Sequence, residues 1–411
     1  MALWVWLLTA SVLAGGAFVA LLICPRHVQL IALVALAVAL TASVQSVVAI
    51  GATLGNTRAV GAAILFAFAG ASAGYWALSA MLLLLARPDG RRAIEMKPPR
   101  DGQGGTTAVV LLSCAEPERY SLRATARSLH RLLATGALQM PAGAVPFVFL
   151  AEKARYRQLG DHHPARASAR ALAEGLEERL RPAVTSTVLV ALCDGHPSAI
   201  DAVTAVADAG YARVAVAVAG AHGALAAAAA IRGAEEALSA THPDVQLTVA
   251  PSVWRLESLA LRLCERILET TQGIDIDRVG VGLIAEGQPA QWAAEHGEWV
   301  TDETYFLQRV RLLLNERGIL AHAVRIGWLE WQTPDVTETV RHLAATGCER
   351  VIVVPATAAA STLGTMVDLT HLIASARLPE SVHAITLSAW NDDPGMLEAL
   401  SESVSRAVTA K

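Results

Sequence analysis

Two ionisable side chains stand directly after apolar, strand-like runs of the sequence. Glu286 follows Val279–Ile284 and opens a Glu-Gly-Gln-Pro segment, and His222 comes shortly after the run Arg213–Ala219. A carboxylate in such a turn can accept a proton or bind a hard divalent cation, and an imidazole can accept a proton or bind a transition metal. We therefore predict Glu286 and His222 as catalytic and metal-binding residues. The alternatives, a surface carboxylate that caps a turn and a loop histidine without a ligand role, stay open.

The cysteines of the chain are widely separated, with no CxxC or CxxxC pair. They are Cys24, Cys114, Cys193, Cys264 and Cys348. A zinc site or an iron–sulfur cluster needs closely spaced thiolates, so this spacing argues against both. Scattered single thiols are typical of a reducing compartment. Cys193 ends an apolar run, and we interpret it as a free buried thiol.

The N-terminal part of the chain is apolar enough to enter a membrane. The 411 residues are 54% hydrophobic and 17% charged, and the apolar runs 2–24, 28–54 and 59–86 can each cross the hydrocarbon core as a helix. Basic residues follow the third run at Arg87, Arg91, Arg92, Lys97 and Arg100. The positive-inside rule then predicts a multi-pass protein of the inner membrane with its soluble part in the cytoplasm. The net charge of −4 gives no basis for binding nucleic acid.

Small residues occur together at two places in the apolar runs. They form Ala-Gly-Gly-Ala at 14–17 and Gly-Ala-Ser-Ala-Gly at 70–74. Such stretches allow membrane helices to approach closely. They indicate either packing within one subunit or the seam of a homodimer.

From Thr106 onward, short β-branched runs alternate with stretches rich in Ala, Leu, Arg and Glu. This alternation is typical of parallel sheets in an α/β fold. A Pro/Gly-rich linker, 88–105, separates this part from the apolar runs. The predicted strands are Ala108–Ser113, Phe147–Leu150, Thr187–Leu192, Arg213–Ala219, Gln246–Ala250, Val279–Ile284, Ala321–Ile326, Arg350–Val354 and Val382–Leu387.

The soluble part contains an internal repeat. The segments 197–214 and 334–351 each run from a proline, through an acidic residue, to a glycine 13 residues on and an Arg-Val pair beginning 16 residues on. This pattern predicts a helix, a glycine stop and a strand. Two copies in register indicate two similar lobes, and the cleft between such lobes is the default ligand site.

Three motifs resemble those of the ferrochelatase family, and the resemblance covers nearly all of 106–408. Glu330-Trp-Gln-Thr-Pro334, followed by the strand Arg350–Pro355, is similar to the family's Glu-Trp-Leu-x-Pro segment and Val-Val-Pro strand. Tyr156-Arg-Gln-Leu-Gly-Asp-His-His-Pro164 resembles Tyr-x-x-Ile-Gly-Gly-x-Ser-Pro. Val281-Gly-Leu-Ile-Ala-Glu-Gly-Gln-Pro289 contains the segment that stands where the family has Ser-x-His-Gly-x-Pro.

The resemblance implies two Rossmann-like lobes with four-stranded parallel sheets, preceded here by three transmembrane helices. A porphyrin or another tetrapyrrole would bind in the cleft, with a divalent metal such as Fe²⁺ as second substrate and no further cofactor. The expected domains are an anchor at 1–87, a linker at 88–105, and lobes at 106–272 and 273–411. Positions that match the family's cleft assign substrate binding to Tyr156, His163, Cys193 and Asp194. Trp292, with Trp299 and Tyr305, is a candidate apolar lip for the macrocycle, although core packing explains it equally well.

The residues that handle metal in the family are mostly replaced in this chain. The family's metal-handling His is Glu286 here, and its opposing Glu falls at Gly364. Metal insertion displaces two pyrrole N–H protons, so a base must lie beside the ring. Three functions stay open: a membrane-anchored chelatase that uses Glu286 and His222, an inactive tetrapyrrole-binding protein, and a scaffold for a haem-pathway or cytochrome-assembly partner in the membrane.

Overall fold

The chain divides into two compact units in the computed structural model. The first unit comprises Met1–Pro88 and Arg119–Asp161, and the second comprises Asp89–Glu118 and His162–Lys411. The structure describes residues 1–86, 94, 96, 99, 107–160, 163–180, 187–193, 195–220, 224–295 and 297–409. The basic cluster at 87–100 and nearly all of the predicted linker therefore lie outside the described residues.

The first unit is built on three long apolar helices, α1 (Ala2–Ile23), α2 (Arg26–Leu54) and α3 (Thr57–Leu84). All three are long and apolar enough to cross a membrane, with mean hydropathies of 2.2, 2.2 and 1.5 over their most apolar stretches. Helices α1 and α3 touch backbone to backbone at glycines. A Cβ on Gly15 would lie 1.9 Å from the Ala71 carbonyl oxygen, and one on Gly74 would lie 1.9 Å from that of Val12. The small-residue stretches thus pack within one subunit.

Two further helices belong to the first unit, α4 (Leu122–Ala134) and α5 (Val145–Gln158). The Ser121 side chain accepts a hydrogen bond from the Ala124 amide and begins α4. The prediction of a strand at Phe147–Leu150 is wrong, because these residues lie inside α5. The predicted lobe boundary at 106–272 stays a prediction, whereas the contacts of the folded chain group Arg119–Asp161 with the apolar helices.

The first sheet of the second unit contains β1 (Thr107–Ser113), β2 (Val188–Leu192), β3 (Arg213–Ala219) and β4 (Gln246–Val249). All neighbouring strands are parallel and follow the order β2-β1-β3-β4. Its helices are α6 (Ala165–Leu180), α7 (Ala199–Asp208) and α8 (Leu225–Thr241).

The second sheet has the same topology as the first, with the order β6-β5-β7-β8 and only parallel pairs. Its strands are β5 (Val279–Ala285), β6 (Val324–Trp328), β7 (Arg350–Pro355) and β8 (His383–Thr386). The helices from here to the C-terminus are α9 (Glu257–Glu269), α10 (Ala290–Glu295), α11 (Gly297–Glu316), α12 (Val336–Ala345), α13 (Leu369–Ser375) and α14 (Pro394–Thr409). Two four-stranded parallel sheets flanked by helices confirm the predicted fold.

The sequence repeat corresponds to matching pieces of the two sheets, β2-α7-β3 and β6-α12-β7. Each helix begins with a capping box, formed by Ser198 and Asp201 in α7 and by Asp335 and Glu338 in α12. Each ends before a glycine with positive φ, 90° at Gly210 and 93° at Gly347. Because only glycine adopts that backbone at low cost, the spacing from proline to glycine sets the length of both helices.

Helices α9 and α14 connect the two sheets through one continuous apolar core. This core contains Val109 and Ala215 from the first sheet, Val281 from the second and Val404 from α14. The Ser403 hydroxyl also donates a hydrogen bond to the Pro251 carbonyl oxygen. The C-terminal helix therefore stabilises both sheets.

Candidate functional site

Polar side chains gather at the carboxyl end of the second sheet. Glu286 follows β5, Glu330 follows the neighbouring β6, and Thr357 follows β7 on the other side. In parallel sheets the loops after adjacent strands meet at one edge, which is where ligands bind in α/β folds. A fourth polar residue, Glu303, comes from α11.

The backbone around Glu286 is held in place by its neighbours. The amides of Leu329 and Glu330 donate to the carbonyl oxygens of Ala285 and Glu286 at 2.9 and 3.0 Å, which joins the loops after β5 and β6. Gly287 has a φ of 83°, and a Cβ there would lie 2.2 Å from the Glu330 carbonyl oxygen. A glycine is thus required directly after Glu286, and the Glu-Gly pair fixes where the carboxylate stands.

Two carboxyl groups of this site hold their protons unusually tightly. Burial, together with the negative charges of Glu303 and Glu330, raises the pKa of Glu286 to about 7. The pKa of Glu303 is also raised to about 7, because the effect of burial exceeds the lowering effect of the Thr357 hydroxyl. A carboxyl with a pKa near neutrality can take up or release a proton at physiological pH.

Glu303 is the residue of this site that the sequence motifs missed. Its side chain is only 2% exposed. Among the described residues, neither its Oε2 nor the Thr357 hydroxyl has a hydrogen-bond partner of good geometry. A buried carboxyl with an unused oxygen is costly unless it is neutral or in contact with a ligand.

A short π-helix, Gly364–Asp368, lies before α13 and begins at the position that we predicted to match the family's opposing Glu. Gly364 is buried, and a Cβ there would lie 2.6 Å from Leu329 Cδ2. Leu329 therefore occupies the space that a larger residue at position 364 would need. Single π-turns inside helices are frequent at functional sites.

Glu116, which follows β1, lies beside His163 and also contacts the residue that precedes this π-helix. His163 is fully buried and its Nδ1 accepts a hydrogen bond from the Ala165 amide at 2.9 Å, so the other ring nitrogen, Nε2, faces Glu116 Oε2 at 3.9 Å. Glu116 Oε1 accepts a hydrogen bond from the Leu363 amide at 3.0 Å. The predicted role of His163 in substrate binding stays a prediction, and its observed contact is with Glu116.

The interpretation of Cys193 as a free thiol is wrong. Cys193 forms a disulfide with Cys114, and their Cα atoms are 4.9 Å apart. The two cysteines are 79 residues apart in sequence, but they follow the adjacent strands β1 and β2. Scattered single thiols therefore no longer indicate a reducing compartment. Asp194 and His222 lie outside the described residues.

The aromatic candidates lie on three different helices. Tyr156 is buried on α5 of the first unit, where its ring contacts Tyr120 edge-on with centroids 6.1 Å apart. Trp292 is buried on α10, whereas Tyr305 on α11 is 52% exposed; the side chain of Trp299 is outside the described set.

Trp331, next to Glu330, is 42% exposed and has a φ of 66°. A bulky residue in this conformation is strained, and such strain concentrates at functional sites.

Within the described part of the chain, no group of three or more His, Cys, Asp or Glu residues is arranged to hold a metal ion. The described acidic residues at the carboxyl edge of the second sheet therefore include no preformed three-ligand metal centre.

A family model for ferrochelatase matches residues 106–408, so the chain belongs to the ferrochelatase family. No curated protein sequence matches the chain. Three solved structures of chelatase type resemble it at low identity. SirB from Bacillus subtilis with Fe³⁺ is 13% identical, with a TM-score of 0.47 and coverage of 74% of this chain and 96% of SirB.

The other two resemble it to a similar degree. The sirohydrochlorin chelatase SirB from Bacillus subtilis subspecies spizizenii, in complex with cobalt, is 12% identical, with a TM-score of 0.45 and coverage of 74% and 95%. DR2241 from Deinococcus radiodurans, a multi-domain protein similar to chelatases, is 14% identical, with a TM-score of 0.44. The match covers 74% of this chain but only 56% of DR2241.

Proposed function

We propose that this protein is a membrane-anchored chelatase that inserts a divalent metal into a tetrapyrrole of haem metabolism, with Glu286 as the proton acceptor. The observation that carries the proposal is the position of Glu286, which the loops after β5 and β6 hold where the resemblance places the family's metal-handling His. The raised pKa of Glu286, about 7, suits a proton acceptor. Insertion of one M²⁺ releases two pyrrole protons. Glu286 takes the first of them, and the nearby carboxyl of Glu303 provides a second acceptor.

The location proposed for the protein is the inner membrane, with three spans and the chelatase part in the cytoplasm. The three apolar helices and the basic residues at 87–100 support this orientation. Tetrapyrroles are flat and apolar, so a membrane tether brings the site to its substrate. The exposed Trp331 offers an aromatic face for the macrocycle beside the acidic site.

The decisive variant is Glu286→Gln, which keeps the size of the side chain but removes the base. We expect metal insertion by the full chain to fall at least about 100-fold, because that is the usual contribution of a positioned acid–base group. Porphyrin binding, followed by quenching of tryptophan fluorescence, should change little, since ring burial supplies most of its free energy. Wild-type activity should rise with pH through about 7, because only the ionised Glu286 can accept a proton.

The assay uses the full chain in nanodiscs with porphyrin and Fe²⁺, Co²⁺, Ni²⁺ or Zn²⁺. A fragment from residue 106 is unsuitable, because it would expose the face of α4 and α5 that packs on the apolar helices. Glu398→Gln, at an exposed position on α14, is the matched control. Insertion that is unaffected by Glu286→Gln would reject this assignment of the base.

A second candidate function, tetrapyrrole binding without metal insertion, is supported by Gly364. This position offers no side chain, and Leu329 fills the adjoining space. A wild-type chain that binds porphyrin saturably but is inactive with every metal would favour this function. The triple variant Glu286→His, Gly364→Glu and Leu329→Ala should then gain iron insertion, because it rebuilds the family's pair and makes room for it. Absence of saturable porphyrin binding would reject both functions and leave a scaffold.

A further inference from the structure

The segment of the first unit outside the apolar helices carries a strong positive charge. We call this segment, Arg119–Asp161, the basic hairpin. It has seven basic residues against two acidic ones, although the whole chain carries a net charge of −4. The basic residues are Arg119, Arg123, Arg127, Arg131, Lys153, Arg155 and Arg157. The charge is thus concentrated in the part of the chain that packs on the apolar helices.

The arginines of α4 lie on one side of that helix. Arg123, Arg127 and Arg131 recur every four residues, a spacing that keeps side chains on one face, and Arg119 lies just before the helix. The apolar side of α4 is occupied, because Ala126 and Leu129 are buried in a cluster with residues of α1, α3 and α5. Arg123 and Arg119 remain exposed. Arg127 and Arg131 are half-buried, so the exposed basic charge at this end of the hairpin lies at Arg119 and Arg123.

The hairpin is fixed to the last turn of α1 and to the C-terminal half of α3. The Lys153 ammonium donates a hydrogen bond to the Leu22 carbonyl oxygen, in the last turn of α1, at 2.8 Å. The Tyr75 hydroxyl of α3 donates to the Gly143 carbonyl oxygen at 2.6 Å. Buried contacts also join Ile23 and Leu82, near the C-terminal ends of α1 and α3, to the same cluster.

This position corresponds to the headgroup level of a bilayer. Helix α1 has 22 residues, and at about 1.5 Å per residue it is about 33 Å long, close to the roughly 30 Å of a hydrocarbon core. A group that packs on its last turn consequently lies where hydrocarbon gives way to headgroups. Phe147 of α5 is 60% exposed, and an exposed aromatic side chain beside basic residues is typical of helices that lie in this interface.

We propose that the basic hairpin binds the phosphate groups of anionic phospholipids. Each basic side chain near an anionic surface adds to the attraction, and the effect weakens with ionic strength. Headgroups are held at the level of the hairpin by the bilayer itself, whereas free phosphate is not. The occupant is therefore the lipid headgroup, and the hairpin is a lipid-selective element in addition to the membrane spans.

The test compares two triple variants of the full chain. Arg119→Gln, Arg123→Gln and Arg157→Gln remove exposed charges of the hairpin, and Arg213→Gln, Arg232→Gln and Arg325→Gln remove the same number of exposed charges from the second unit. Each protein is placed in nanodiscs of phosphatidylcholine mixed with phosphatidylglycerol. Retained lipids are counted by native mass spectrometry on release from the nanodisc, at low and high salt.

The wild type and the control variant should retain phosphatidylglycerol preferentially, and high salt should reduce this preference. The hairpin variant should lose the preference at least about tenfold, with unchanged melting temperature in neutral detergent. Equal enrichment in the hairpin variant and the wild type would overturn the proposal. Release of the retained phosphatidylglycerol by inorganic phosphate would also overturn it, because the site would then take free anions.

Discussion

Glu303 is a carboxyl group in a place where charge is costly. It is 2% exposed, and burial raises its pKa to about 7 from an ordinary value of 4.5. Between these two pH values the folded protein keeps a proton that the unfolded chain releases. The contribution of Glu303 to the free energy of unfolding is therefore fully present below about pH 4.5, and it is lost as pH rises toward about 7.

Glu303→Gln should remove this pH dependence. The variant is expected to be more stable than the wild type at pH 8, by up to roughly 3 kcal/mol if the whole pKa difference is realised, and nearly equal to it at pH 5. Thermal unfolding of the full chain in detergent at both pH values measures the difference. Glu398→Gln, at an exposed position on α14, is the control. A destabilised Glu303→Gln at pH 8 would mean that the ionised carboxylate has a partner that stabilises it.

Gly364 and Leu329 should be energetically coupled. A Cβ on Gly364 would lie 2.6 Å from Leu329 Cδ2, so Gly364→Ala should cost about 1–3 kcal/mol through overpacking. Leu329→Ala removes the obstructing atoms, and the double variant should be more stable than the sum of the single effects predicts. A double-mutant cycle from unfolding midpoints measures this coupling. Strict additivity would show that Leu329 simply moves aside.

The acidic site could be predicted only in part from the sequence. Glu286 was identified because it follows a clear apolar strand within a motif. Glu303 gave no such signal, because a glutamate near the start of a polar helix is ordinary. Its burial arises from the packing of α11 beside the loops after β5 and β7, which no local pattern records. The role of Leu329, which fills the space beside Gly364, could not be predicted for the same reason, because it depends on a contact between residues that are distant in sequence.

At the scale of secondary structure, α1 and α3 pack backbone to backbone at their glycines. Gly74→Ala would place a Cβ 1.9 Å from the Val12 carbonyl oxygen, so the helices would have to separate. We expect a loss of about 2–3 kcal/mol in the stability of the first unit. Gly61→Ala lies on the same helix with no atom within 4 Å and should be neutral or slightly stabilising. Resistance to unfolding by SDS compares the two, and equal behaviour would argue against the tight α1–α3 seam.

The regular elements of the second unit were largely predictable, and the failures have physical causes. Arg213–Ala219 was predicted with its observed bounds, because alternating β-branched and Ala residues between helical stretches match a buried parallel strand. Phe147–Leu150 shows the opposite case, since four apolar residues fit a strand as well as a buried helix segment. The apolar side chains of this segment lie on α5 and pack against the apolar helices. That packing partner is more than sixty residues away in sequence, beyond the reach of local patterns.

For the whole molecule, the sequence indicated an anchor followed by two lobes. The repeat of proline, glycine and Arg-Val predicted two sheets of equal topology, and both sheets have the order that a duplication implies. The grouping of Arg119–Asp161 with the apolar helices was not predicted, because that segment interrupts the first lobe between β1 and α6. The chain passes from the second unit to the first and back, and the amino-acid composition does not change visibly at either of these two points.

The bond between Cys114 and Cys193 makes the chain a reporter of which side of the membrane its sheets occupy. The bond closes a loop of 79 residues, and disulfides persist outside the cytoplasm but rarely within it. With the proposed orientation, both cysteines should be reduced in cells, so that after acid quenching they react with a maleimide mass tag. Treatment of the purified protein with an oxidant should then form the disulfide. Closure should stabilise the protein by about 2–4 kcal/mol. Cells in which this pair is already fully bonded would place the sheets outside and reverse the topology.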